Sequence, residues 1–306
     1  MLNLATVIYM KNQLKGSVAL LAATVIWGFA FIAQSVGMDL IGPFTFQTIR
    51  CSLAVLVLIP CAFLLDLGKC SCSESVNKWK DPQLWKAGII CGCALFVAAS
   101  LQQIGLVYTD AGKAGFITAM YIVLVPVLGL FLKRKPPKAA VFSVLLAVVG
   151  LYLLSCMGVT EINKGDLFLM GCALAFAVQI NCIDRFAPHV DGFRLNCIQS
   201  LTVALLSVPF VVLTETVDVG NIVACWGPLC FAGILSMGVA YSLQIVGQKD
   251  LEPTTASLIM SLESVFAAIG GWWLLHERMT FWEMLGCGLV FAAVMISQFP
   301  SGKEKT

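Results

Sequence analysis

The chain has 306 residues, of which 59% are hydrophobic and only 12% charged, and its net charge is +2. A soluble domain carries about 25% charged residues, so the solvent for most of this chain is lipid rather than water. That excludes soluble enzyme folds and disordered chains, and the near-neutral balance excludes a nucleic-acid binder.

A bilayer-spanning helix needs about 20 mainly apolar residues. Taken in chain order, residues 16–36, 43–65, 85–107, 113–132, 138–157, 166–186, 193–213, 222–246, 254–275 and 281–299 meet that requirement. The sequence therefore predicts an all-α membrane protein with ten transmembrane helices. The runs are too long and too continuous for the alternating strands of a barrel. Residues 1–15 fall short of a span, carry Lys11 and Lys15, and read as a cytoplasmic N-terminal segment before a retained signal-anchor; residues 300–306 read as a tail. Turn signals mark the joints at Gly42-Pro43, Asp81-Pro82, Pro136-Pro137 and Glu252-Pro253. Gly88 and Gly92 form a G-x-x-x-G in the third segment, a pattern that permits close helix approach.

Basic residues set the orientation. With the N-terminus in the cytoplasm, fifteen Lys and Arg fall on the inner side, including Lys133-Arg134-Lys135, and only Lys113, Lys164 and Arg278 on the outer side. The sequence thus predicts a multi-pass protein of the plasma membrane with both termini cytoplasmic.

Most of the thirteen cysteines lie in or beside apolar runs, where Cys acts as a small hydrophobe. The histidines are only His189 and His276, and no two Cys pairs stand at zinc-site spacing, so no metal and no cofactor is expected.

The chain reads as a duplication. Shifted by 142 residues, SLQQIG (100–105) falls on SLQIVG (242–247), and Asp110/Glu252, Gly129/Gly271 and Leu132/Leu274 follow in the same register. In the earlier part a shift of 149 aligns Gly16/Gly165, Ile49/Ile198 and Pro60/Pro209. The difference of seven fits the longer joint at 66–84 in the first half. Two repeats follow, 16–157 and 165–299. Each has five spans, and an odd number turns the second copy upside down. Inverted repeats are an architecture of secondary transporters, in which two similar halves exchange conformations about a central site.

Trp27-Gly28, Arg50, Tyr121…Pro126 and the stretch SLESVFAAIGGWWLLHERMT (261–280) resemble the EamA-type members of the drug/metabolite transporter superfamily. The last stretch is similar to that family's Leu-Glu-Pro-Val-Phe-Ala followed by Leu-Gly-Glu-Arg, with Ser264 where Pro is usual and His276 where Gly is usual. The resemblance covers residues 16–299. It implies a ten-helix carrier of small metabolites and leaves the substrate open among amino acids, nucleotide-related compounds, sugars and drugs.

A charge at the bilayer centre costs about 2.5–3.5 kcal/mol on insertion scales, so Arg50 and Glu263 should face protein or water. Glu263 is either a proton-coupling or ammonium-binding carboxylate, or a hydrogen-bonded Glu that holds its helix to its neighbours. Arg50 is either a fork for a substrate carboxylate or phosphate, or a snorkelling or ion-paired structural residue. Gln102, Gln179 and Gln244 could line a polar route or join helices by hydrogen bonds. Trp27 and Tyr121 could stack on a substrate or simply pack.

These readings converge on a secondary transporter that moves a small metabolite (amino acid-like, nucleotide-related or drug-like) by alternating access, in the export direction. Its expected partners are that solute, a proton and the lipid bilayer, and the chain acts as a monomer or homodimer. No Walker loop is present to drive it with ATP. A membrane-embedded enzyme would need a catalytic constellation, and no HExxH or Ser/His/Asp set is visible. A sensor or assembly subunit would need an output domain, and no segment is left over for one.

Overall fold

The computed structural model describes residues 4–133, 136, 138–155, 163–274 and 278–298. Arg134, Lys135, His276 and Glu277 lie outside the described residues. Among the described residues, nine helices are long and apolar enough to cross a membrane, and Lys138–Leu154 is a shorter apolar one. This is the ten-helix layout read from the sequence. In the first half, α1 is Leu4–Met38, α2 Pro43–Asp66, α3 the short Cys72–Lys78, α4 Pro82–Leu106, α5 Ala111–Ala119, α6 Tyr121–Phe131 and α7 Lys138–Ser155. In the second half, α8 is Lys164–Phe186, α9 Gly192–Thr214, α10 Val219–Ala224 and α11 Trp226–Cys230. A π-helical stretch Phe231–Ala240 then leads into α12 Tyr241–Gln248, followed by α13 Pro253–Met260, α14 Leu262–Leu274 and α15 Phe281–Gln298.

Local chemistry accounts for most of these bounds. Pro43, Pro82 and Pro253 each open a helix, where a missing N–H costs nothing. Ser71 and Glu74 cap α3 reciprocally, Glu74 accepting from the Ser71 N–H at 2.7 Å. Helix α1 starts at Leu4 rather than at residue 16, because no Pro or Gly interrupts residues 4–15. The predicted run 222–246 is divided: Cys225 (φ −84°, ψ 4°) separates α10 from α11, so the span runs Trp226–Gln248.

The fourth and ninth spans are each interrupted at one residue. Met120 (φ −60°, ψ −10°) parts α5 from α6, and Ser261 (φ −63°, ψ −15°) parts α13 from α14. Ser264 stands where the family it resembles usually has proline, yet the second interruption forms without a proline there. Ser257 and Ser261 donate to the carbonyls of Thr254 and Leu258, each at 2.8 Å, and such back-bonding bends a helix.

The main helix crossings recur when the halves are exchanged. Helix α2 lies against its counterpart α9, and α7 against α15. Helix α4 crosses α8 as α12 crosses α1, and α8 meets α5 and α6 as α1 meets α13 and α14. The crossings use the same glycines. A Cβ on Gly247 would stand 2.8 Å from the Gly16 carbonyl, and one on Gly165 would stand 2.7 Å from the Gly105 carbonyl. The G-x-x-x-G is occupied inside the chain, where Gly88 and Gly92 seat Ile198 and Thr202 of α9. Gly247→Ala is expected to cost about 1–3 kcal/mol in thermal unfolding of the purified protein, because backbone must move to admit the methyl group. Gly112, with open space around it, should accept Ala within about 0.5 kcal/mol.

Carboxylates tie α2 to α9 at both ends. At the end bearing most of the basic residues, Asp66 bonds Arg194 at 2.6 Å, Lys78 at 2.7 Å and the Ser75 hydroxyl at 2.7 Å. At the opposite end Glu215 accepts from the Phe44 and Thr45 N–H groups at 2.8 Å and from the Thr45 hydroxyl at 2.6 Å. Asp66/Glu215 and Thr45/Arg194 are both pairs in the 149 register, so one tie is the repeat of the other.

Candidate functional site

A cavity of about 480 Å3 lies between the two halves. Its wall combines register-related residues from both copies. Trp27 and Phe176 are 149 apart, as are Phe31 and Ile180; Gln102 and Gln244 are 142 apart. Tyr121 and Glu263 are also 142 apart, and they touch: the Tyr121 hydroxyl donates to Glu263 Oε1 at 3.0 Å. Two residues that occupy the same place in the two copies are thus bonded to each other, each one or two residues beyond its helix interruption. The interruptions bring these side chains to the junction of the halves.

The other charged group departs from the symmetry. Arg50 is 3% exposed, and its register partner is Gln199. Its guanidinium donates to Gln34 Oε1 at 2.5 Å and to Gln47 Oε1 at 3.4 Å, while Nε has no partner. The Phe46 ring lies 5.7 Å from it. Among the described residues no carboxylate pairs with Arg50, so the ion pair with Glu263 that its sequence position allows is not made. Arg50 and Glu263 line one cavity without bonding each other.

Neighbouring polar groups hold this wall in place. Gln47 donates to the Ser100 hydroxyl at 3.0 Å, and its counterpart Asn196 donates to the Ser242 hydroxyl at 2.9 Å. Asn196 also donates to the carbonyls of Met237 and Gly238, acceptors inside the π-helical stretch. That stretch belongs only to the second copy and sets Ser236 and Tyr241 on the cavity wall. Such stretches recur at functional sites. Tyr241 packs edge-on against Trp27 at 5.0 Å, and Trp27 Nε1 has no acceptor.

Of the residues selected by sequence, Glu263, Arg50, Trp27, Gln102, Tyr121 and Gln244 line this cavity. Gln179 does not. It is fully buried behind Gln244, accepting from its amide at 3.4 Å. Sequence reasoning missed the apolar wall: Phe31, Phe176, Ile180, Tyr241 and Met260, together with Ser236. The register could have found two of them, since Phe176 answers Trp27 and Ile180 answers Phe31.

The profile of the EamA-like transporter family matches residues 14–156 and 163–299. An uncharacterized transporter of Archaeoglobus fulgidus is 33% identical over 288 residues, covering 93% of this chain and 86% of that protein. The uncharacterized transporter YoaV of Bacillus subtilis is 24% identical over 302 residues, covering 96% of this chain and all of that one (100%). The threonine/homoserine exporter RhtA of Escherichia coli is 34% identical over 184 residues, covering 57% of this chain and 59% of its own. A solved crystal structure superposes with a TM-score of 0.75 at 18% identity, covering 92% of this chain and 95% of its own, and so shares the fold.

Proposed function

This chain belongs to the EamA-like transporter family and is a multi-pass small-molecule transporter, and on that premise we propose that it moves a small zwitterionic, amino-acid-like metabolite outward across the plasma membrane by alternating access. Both termini then lie in the cytoplasm, as the basic residues require. One observation carries the substrate class: a buried Arg50 without a carboxylate partner shares a cavity with Glu263. An unpaired buried charge is costly, and a substrate carboxylate relieves that cost while accepting from the free Nε. The substrate ammonium pairs with Glu263. An apolar side chain meets Trp27, Phe31 and Tyr241. The exporter name borne by the RhtA relative agrees with this solute class and direction. Glu263, joined to Tyr121 across the repeat, exchanges the ammonium for a proton and so couples the two fluxes.

The test is a metabolite-wide uptake screen in vesicles reconstituted with the full chain, with and without a pH gradient. Zwitterionic amino acids should enter in a gradient-dependent way; movement of neutral solutes alone would reject the class. In the same vesicles Arg50→Lys keeps the charge but loses the two-pronged donor geometry. It should weaken a zwitterion about tenfold and an amino alcohol lacking the carboxylate far less. Equal losses for both solutes would assign Arg50 to structure.

A further inference from the structure

Two more hollows lie on opposite sides of the central cavity. One, of about 1180 Å3, is at the outer end and is bordered by Ile32, Asp110, Gly112, Ala267, Gly271 and Arg278. The other, of about 210 Å3, is at the basic end and is bordered by Asn181, Glu252, Thr254, Val125, Gly129 and Pro136. Taken in that order, the residues of the second set are the repeat counterparts of the first. Asn181 follows Ile32 by 149 positions, and each of the other pairs is separated by 142. Pro126 and Pro253, which complete the smaller wall, answer Ala268 and Ala111 in the larger. The two hollows are one place in the repeat, each walled by both copies, wide at the outer end and narrow at the basic end.

We infer that the narrow hollow is the cytoplasmic vestibule of this carrier, shut in this structure, and that the solute passes Glu252 and Asn181 between the cytoplasm and the central cavity. The inference rests on the transport reading above and extends it to a route and a subsite. Two copies of one fold can exchange shapes. When the second copy takes the form now held by the first, the crevice between α6, α8 and α13 opens as the outer one is open now.

The polar groups in the narrow hollow fit that role. Asn181 is 7% exposed, and its Oδ1 has no partner; Glu252 Oε2 is likewise buried without one. Unsatisfied acceptors in a closed space are costly, and water or a donor removes the cost once the space opens. Burial holds the Glu252 carboxyl above its ordinary range, so closing the hollow also disfavours its charge. A carboxylate with an amide oxygen receives an ammonium group. The outer mouth presents Asp110 in the position of Glu252, so both openings offer a carboxylate to the same end of a zwitterion, while Ile32 answers Asn181 and leaves the amide oxygen to the inner one.

The experiment uses the full chain in proteoliposomes and a membrane-impermeant methanethiosulfonate, with labelling read at the reporter's own peptide by mass spectrometry so that native thiols do not count. Thr254→Cys should react from the cytoplasmic face although Thr254 is 2% exposed here. Val125→Cys, on the same wall, is the second reporter. Adding Gly112→Cys and blocking it from outside with a bulky maleimide wedges the outer vestibule open, and labelling of either reporter should then fall about tenfold or more. Reporters that stay unlabelled in vesicles that transport, or that label equally with and without the wedge, overturn the route and leave the carrier standing. Vesicles of the unaltered chain that transport nothing in the uptake screen overturn the carrier and the route together.

Discussion

Glu263→Gln should leave the protein folded in the membrane while abolishing gradient-driven transport. Glutamine has the same length, and its carbonyl still accepts from Tyr121, whose hydroxyl stands 3.0 Å from Glu263 Oε1. What it lacks is a negative charge and the ability to carry a proton. Loss of one charge-assisted contact to an ammonium group removes about 1.5–3 kcal/mol, or about 10- to 100-fold in transport at low solute concentration. Loss of coupling shows separately, as flux that no longer responds to a pH gradient. Flux across a range of pH, measured with the amount of folded protein, decides the matter. Normal transport over that range would leave Glu263 as a structural hydrogen-bond partner only.

The layout was legible because lipid forces it. Backbone groups cannot go unpaired in the bilayer, so long apolar runs must be helices, and their number and joints can be counted. The duplication was legible where both copies kept the same residue for the same contact. Ser100 and Ser242 survive because each accepts from a buried amide across to the second or seventh span. The glycines at positions 16, 165, 105 and 247 survive because two backbones cross there.

Where the copies diverged, the register gave position without contact. Tyr121 and Glu263 share a place but not a side chain, so nothing in either residue type declares that they meet. The facing of polar residues was also hidden. In helices that are apolar nearly all round, Gln179 and Gln244 look equivalent, and only the fold places one behind the other. The π-helical stretch FAGILSMGVA is as apolar as a regular span. Its carbonyls at Met237 and Gly238 accept from a donor on another helix, the Asn196 amide, and no local pattern announces it.

Asp66→Asn should lower thermal stability more than any single change on the outer faces of the bundle. Arg194 is 1% exposed and held at 2.6 Å by Asp66, with Trp79 5.3 Å beneath the guanidinium. An amide in place of the carboxylate leaves that buried cation only Asp191, more distant at 3.5 Å and 42% exposed, as a counter-charge, the costly half of breaking a buried ion pair. The unfolding midpoint of the detergent-purified protein should drop by roughly 5–10 °C. Lys78, 42% exposed by its side chain, adds little to this because water screens it. The repeat-equivalent change Glu215→Gln keeps one acceptor oxygen for the capped N–H groups and strands no cation, so its shift should be only a few degrees, roughly 2–4 °C. Combining Asp66→Asn with Arg194→Met removes both charges and should recover most of the loss, because well-packed apolar replacements of a buried pair are often neutral. Equal shifts for the two single changes, or no recovery in the double, would mean that the tie holds α2 to α9 by shape and not by charge.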